Sequence, residues 1–410
     1  MIERRWIKRI NDAADGLAVD LGLYALSTVF AFATATSSTL APHRTWGHLA
    51  TFGYAAATLC VLGQLIVRRG RAALTALTWA ATALLPLAVE AARRQVQEEV
   101  IVVERAGQRL LDTGTPYLSR GAIAALPADE RLLGYVPYQP GMALFGLPRA
   151  IVGSPWWTDA RVFFALVTAA ALVAALVVVR DRADGAALVR AAQAVTVLPI
   201  CALTLAVGGD DMPVLALCLL ALACAARGRF GRCGLAVGAA GALKLFAWPV
   251  ALVLLAYAAT RGRRALTSYA APAVGLPLLV VVPALLVDPA AAIENLVRFP
   301  LGKGLVASPA ASPFPGHLIA SVVPGGRAIA AALLVATGLA IGWWLLRRPP
   351  RDAAAAALIC AYGLTAAILL MPSTRFGYLL YPIAYLVWRP VLVPEAKGSR
   401  TVAVGRTQGG

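Results

Sequence analysis

Residues 162–179 read VFFALVTAAALVAALVVV and run straight into Arg180, Asp181 and Arg182. No charge interrupts the run, and as a helix it is long enough to cross a bilayer core of about 30 Å. It lacks the strict apolar–polar alternation of a membrane barrel strand. Blocks of the same kind recur on both sides, most of them closed by short arginine clusters. Arg4, Arg5, Lys8 and Arg9 precede the first block, about 17–40, which reads as an anchor and not a cleaved signal. Arg68, Arg69 and Arg71 close the second, and a third covers about Ala73 to Ala92. Downstream clusters are Arg227, Arg229 and Arg232, then Arg261, Arg263 and Arg264, then Arg347 and Arg348, then Arg389. Basic residues gather on the cytoplasmic ends of spans. The stretch 234–257 starts and ends beside such clusters and is interrupted by Lys244 and Pro249. Two flanks of one sign need an even number of crossings, so it reads as two short segments turning near Lys244.

The expectation is an all-α polytopic membrane protein of about twelve crossings, one domain over 1–393, with a disordered cytoplasmic tail over 394–410. Two long segments on the outer, periplasmic or extracellular side, 93–158 and 287–326, stand against minimal inner loops. The second is proline-rich and too long for a mere connector, which suits a lid.

Of the 410 residues, 60% are hydrophobic and 14% charged, far below the charge content of a soluble domain. The arginines behind the formal charge of +17 sit in short clusters between apolar blocks, all read as inner except Arg93–Arg94, which opens the first outer segment. No basic stripe is interleaved with exposed aromatics, which argues against a nucleic-acid partner. The six cysteines show no CxxC spacing and read as small packing residues. No ligand cluster stands out, so neither a metal nor a cofactor is expected.

Polar residues with chemical potential lie at the outer ends. Glu98 and Glu99 follow the third block, where a carboxylate facing lipid is costly. Ala106 to Leu111 reads as a short amphipathic helix, ended by the turn Asp112-Thr113-Gly114-Thr115-Pro116-Tyr117. Tyr135-Val136-Pro137-Tyr138-Gln139-Pro140 follows. Further on come Gly208-Gly209-Asp210-Asp211, Lys244, and Met371-Pro372-Ser373-Thr374-Arg375-Phe376-Gly377-Tyr378. Each has a bland reading: a hydrated loop acid, a snorkelling lysine, an arginine capping a span, an interfacial tyrosine.

The order acidic residue, Ala106-Gly107-x-x-Leu110-Leu111-x-x-Gly114-x-Pro116-Tyr117, then Tyr135-x-Pro137-x-x-Pro140, resembles the first outer loop of glycosyltransferase family 87. The Gly208–Asp211 turn, the Ala242-Leu243-Lys244 segment ending at Pro249, and the Pro372-x-Ser turn before Tyr378 continue the likeness downstream. The resemblance implies a fold of the GT-C superfamily and a mannosyltransferase that uses a polyprenyl-phosphate sugar donor. The acceptor would be lipid-linked or a glycan, reached at the outer face of the cell membrane among membrane lipids. The family's aspartate precedes the helix alanine by seven residues, and Glu99 holds that place here, with Glu98 beside it. Val103 stands where the family has tyrosine.

Such chemistry needs a carboxylate to take the acceptor proton and cations where the leaving phosphate gathers charge. Glu99, or Glu98, suits the first role, and Lys244, Arg375 and Arg161 the second. Asp210, Asp211, Tyr117, Tyr138 and Tyr378 are candidates for holding acceptor or sugar. The alternative is a transporter or flippase of a lipid-linked sugar, which should show repeats with paired broken helices. One interrupted segment, near Lys244, is evident.

Overall fold

The computed structural model describes residues 16–67 and 69–393. Arg4, Arg5, Lys8, Arg9, Arg68 and the tail from 394 lie outside them. Among the described residues the chain is helical throughout, and an isolated bridge between Ala311 and Thr374 is the one extended pairing. The first block is α1 (Leu17–Ser37), α2 (Ala41–Val67) and α3 (Arg71–Arg93). The first outer segment carries α4 (Glu98–Thr113), α5 (Arg120–Ala125), a 3-10 turn over Pro140–Gly146, and α6 (Leu147–Val152). Then come α7 (Ala160–Val179), α8 (Gly185–Thr196), α9 (Pro199–Val207), α10 (Asp211–Ala226), α11 (Phe230–Leu243), α12 (Ala247–Ala259) and α13 (Arg263–Val287). The second outer segment carries α14 (Pro289–Ile293) and α15 (Pro315–Val322), and α16 (Gly326–Arg347), α17 (Ala353–Leu370) and α18 (Leu380–Leu392) complete the bundle.

Among the described residues seven helices are long and apolar enough to cross a membrane, or eight if α8 and α9, bent by 43°, form one span. Helices α10, α11 and α12 are apolar but shorter. Helix α10 is apolar on every side, and such a helix belongs in a protein interior. Nearly all of its residues are buried, with α7, α11, α17 and α18 packed around it.

Local irregularities follow from the sequence. Pro86 has no amide hydrogen to give the carbonyl of Thr82, and α3 widens to a π turn over Ala80–Leu84 just before it. The freed Thr82 carbonyl accepts a 2.8 Å hydrogen bond from the Trp46 indole of α2. The proline thus yields an inter-helix link in place of an orphaned carbonyl. Helices α11 and α13 touch through glycines. A Cβ on Gly234 would lie 2.2 Å from the Tyr269 carbonyl, and one on Gly238 would lie 2.4 Å from that of Pro272. Small residues four apart let helix backbones approach closely.

The same device sets α4 against the 3-10 turn. A Cβ on Gly107 would fall 2.4 Å from the Gly146 carbonyl carbon. Neither partner is a flexible side chain, so Gly107→Ala must push the two backbones apart. The expected cost is about 1–3 kcal/mol, read as earlier thermal unfolding in detergent. Gly121→Ala, with no atom within 4 Å of its Cβ position, should change little. Equal behaviour of the two variants would count against the close contact.

Candidate functional site

Five stretches distant in sequence meet at one end of the bundle. The first is the start of α4. The Gln97 amide donates to the Val207 carbonyl at 3.3 Å, and its side chain meets His43 Nε2 at 2.7 Å. These contacts fix the N-terminus of α4 beside the Gly208–Asp210 turn. A Cβ on Gly208 would come 2.9 Å from Gln97 Oε1, so the glycine leaves room for the Gln97 side chain beside the turn. Glu98 and Glu99 occupy the first turn of α4, where the helix dipole favours negative charge. As neighbours on a helix they diverge. Glu98 is exposed, and residual desolvation, then the charge of Glu99, push its pKa up. Glu99 turns inward and accepts a hydrogen bond from Arg375 Nη1.

Arg375 lies between α17 and α18. Desolvation is the strongest single influence and opposes its charge, but the Glu99 carboxylate together with Tyr378 and Tyr138 outweighs it, and the pKa is raised. The second outer segment holds this turn in place. The Thr374 amide donates to the Ala310 carbonyl at 3.0 Å and the Ser312 amide to the Thr374 carbonyl at 2.9 Å. The Phe376 amide donates to Ser312 Oγ at 2.9 Å, and His317 Nδ1 lies 3.0 Å from the Pro372 carbonyl. Nearer its start, the same segment grips the first outer segment. Glu294 accepts from the Tyr135 hydroxyl at 2.9 Å and from Arg120 at 3.0 Å. Asn295 Oδ1 accepts from the Val136 amide at 2.8 Å.

The last stretch is the break between α11 and α12. Lys244 ends α11 in an extended conformation, and its side chain is only 9% exposed. Its Nζ lies 2.8 Å from Asp210 Oδ2 and 2.6 Å from Asp211 Oδ1. Tyr381 donates to the same Asp211 oxygen at 2.7 Å. The rings of Tyr138 and Tyr378 stand 5.3 and 5.5 Å from Nζ, within reach of a cation–π attraction. The Tyr138 loop is seated on α11, the Gln139 amide donating to the Leu243 carbonyl at 3.1 Å. Tyr117 is buried and contributes through that loop, its hydroxyl donating to the Tyr138 carbonyl at 2.8 Å.

Two groups of candidates therefore come together: Glu99 with Arg375, and Lys244 with Asp210, Asp211, Tyr138 and Tyr378. Arg161 stands apart from both. It is fully buried, donates twice to Asp159 at 2.9 and 2.8 Å, and reaches Glu90 at 3.1 Å and the Ala206 carbonyl at 3.0 Å. Two carboxylates already match its charge, and its link to Ala206 braces the end of α9. Sequence reasoning passed over Tyr381, Gln97 and His43. Tyr378 and Tyr381 are three apart, the spacing of one helix face, which was the available signal for Tyr381.

A family model described as glycosyltransferase family 87 matches residues 135–373, a stretch that includes Tyr138, Asp210, Asp211 and Lys244 but ends short of Arg375 and starts after Glu99. No curated protein matches the chain. Two solved structures of ArnT from Cupriavidus metallidurans are similar. The one bound to undecaprenyl phosphate is 20% identical with a TM-score of 0.49, over 77% of this chain and 59% of that one. The apo form is 19% identical with a TM-score of 0.47, over 77% and 58%. The chain thus spans about three fifths of the ArnT length.

Proposed function

Because this chain belongs to glycosyltransferase family 87, we propose that it moves a sugar, with mannose as the first choice, from a polyprenyl-phosphate donor to a lipid-linked or glycan acceptor. The site would face the non-cytoplasmic side of the membrane. The observation that carries this reading is the convergence of Glu99 and Arg375, 276 residues apart in sequence, into one ion pair at the end of the bundle that also holds Lys244.

In the proposed reaction Glu99 takes the proton of the acceptor hydroxyl as its oxygen attacks the anomeric carbon. The bond from that carbon to the phosphate oxygen breaks on the opposite face, and its electron pair leaves with the polyprenyl phosphate. A β-linked donor then gives an α-linked product. Arg375 is the cation for the developing phosphate charge. Phosphate bound at Arg375 competes with Glu99 for the guanidinium, which leaves the carboxylate free to accept the proton. Lys244 is already held by two carboxylates, and its part is to fix Asp210 and Asp211 toward the acceptor.

The deciding assay supplies purified protein with labelled polyprenyl-phosphate sugars and a membrane lipid extract. Label should move covalently from donor to an acceptor, with mannose the best sugar. Movement of intact donor across a vesicle without covalent transfer would replace this reading by transport. Orientation is testable by thiol labelling of cells in a Cys60→Ala background. Asp112→Cys should react with an impermeant reagent, and Arg263→Cys should not. The reverse pattern would place the site inside.

A further inference from the structure

A second polar cluster lies at the opposite end of the bundle. Helix α10 runs from Asp211, beside Lys244, to Ala226, and α11 returns from Phe230 to Leu243. The two ends are about 24 Å apart by helix rise. At the Ala226 end, among the arginine-rich loops, is a cavity of about 220 Å³ lined by Arg182, Phe230, Tyr257, Arg261, Asp352 and Leu392 among others. That is below the roughly 300 Å³ at which sites for drug-sized molecules begin, a scale that suits a headgroup.

The two arginines come from separate loops. Arg182 is anchored by donating to the Ala226 carbonyl at 3.0 Å and the Val393 carbonyl at 3.3 Å. Its Nε is buried with no hydrogen-bond partner among the described residues. Arg261 lies over the Tyr257 ring, 5.0 Å from its centroid, and donates to the Tyr257 hydroxyl at 2.9 Å. Asp352, the one acidic residue in the lining, uses an oxygen to cap α17 at the Ala355 amide, 2.7 Å away. Among the described residues neither arginine has a carboxylate within salt-bridge distance. Basic residues that serve topology alone need only reach water. Arg182 leaves a buried donor unmet beside this aromatic-walled cavity, which is costly in the absence of an acceptor, and Arg261, although exposed, lies against the Tyr257 wall.

We infer that this cavity binds the phosphate headgroup of an anionic phospholipid from the leaflet on that side. Guanidinium donors match phosphate oxygens in geometry and charge, and basic pockets between helices on the cytoplasmic side are suited to such headgroups. A lipid is favoured over a soluble phosphate because Val393, whose carbonyl Arg182 holds, is 44% exposed. It offers apolar surface for an acyl chain beside the cavity.

The test compares retained lipid by native mass spectrometry after extraction from membranes containing phosphatidylglycerol and phosphatidylcholine. The wild type should keep phosphatidylglycerol in preference. The double variant Arg182→Gln/Arg261→Gln should bind it about thirtyfold more weakly, as expected for two basic contacts. Arg263→Gln/Arg264→Gln, which removes the same charge from exposed positions on that side, should bind as wild type. Equal losses in both pairs, or no lipid preference in the wild type, would overturn the site. In a parallel arm, thermal protection by inorganic phosphate as large as that by phosphatidylglycerol would overturn the lipid assignment and leave a soluble phosphate as the ligand.

Discussion

Replacing Glu99 by glutamine is expected to lower sugar transfer by about a hundredfold or more, the usual worth of a positioned general base. The amide keeps the shape of the side chain and can still accept a hydrogen bond from Arg375, so expression and thermal unfolding should stay near wild type. Glu98→Gln should retain most of the rate, since Glu98 is exposed and makes no ion pair among the described residues. Glu99→Asp withdraws the carboxylate by one methylene. Misplacement of about 1 Å can cost on the order of a hundredfold, so this variant should be weak but measurable. Donor binding separates the roles further. Arg375→Ala should weaken binding of the polyprenyl-phosphate sugar, whereas Glu99→Gln should bind it as well as wild type or better, because its uncharged amide competes only weakly for the guanidinium. A dead Glu98→Gln with an active Glu99→Gln would shift the base by one residue. Full activity in both would move attention to Asp210 and Asp211.

Much of the helical frame was legible in sequence because it rests on short-range signals. An uninterrupted apolar run such as 162–179 fixes a helix by length and hydropathy, and arginines mark its end. The break at Lys244 was legible for the same reason, since a charge in an apolar stretch must turn toward a polar partner. Which partner was not legible. Lys244 was expected at the donor phosphate and Asp210–Asp211 at the acceptor, yet the three lie within hydrogen-bond reach of one another. Only the packing of α10 against α11 brings them there. The Glu99–Arg375 pair is a long-range fact of the same kind. Arg161 shows the converse. Asp159, two residues before it, could have been read as a local partner, but Glu90 lies 71 residues away, and with it the phosphate reading of Arg161 loses its free charge. The role of 287–326 as a clasp between Tyr135 and the Arg375 turn also depends on contacts between residues 159 and 64 positions apart.

Lys244→Met should be the most destabilising single change at the site. The cation sits between two carboxylates, all three side chains being less than a tenth exposed. Removing one member of a buried ion pair leaves its partner's charge without compensation, at a cost of about 3–5 kcal/mol. Here two carboxylates lose their partner at once, while Tyr381 remains to donate to only one of them. Loss of activity in this variant would therefore say little about catalysis. The informative comparison is the neutral set Lys244→Met/Asp210→Asn/Asp211→Asn, which keeps the shapes and removes all three charges. A buried charge network replaced by neutral groups of similar size is often close to neutral in stability, so thermal unfolding should recover most of the loss. Transfer should not recover, because the carboxylates proposed to hold the acceptor are gone. The expected signature is a stable protein that binds donor through Arg375 and fails to transfer. If the triple variant transfers at the wild-type rate, the triad is a structural clamp, and acceptor recognition must be sought elsewhere along the face shared by Tyr138 and Tyr378.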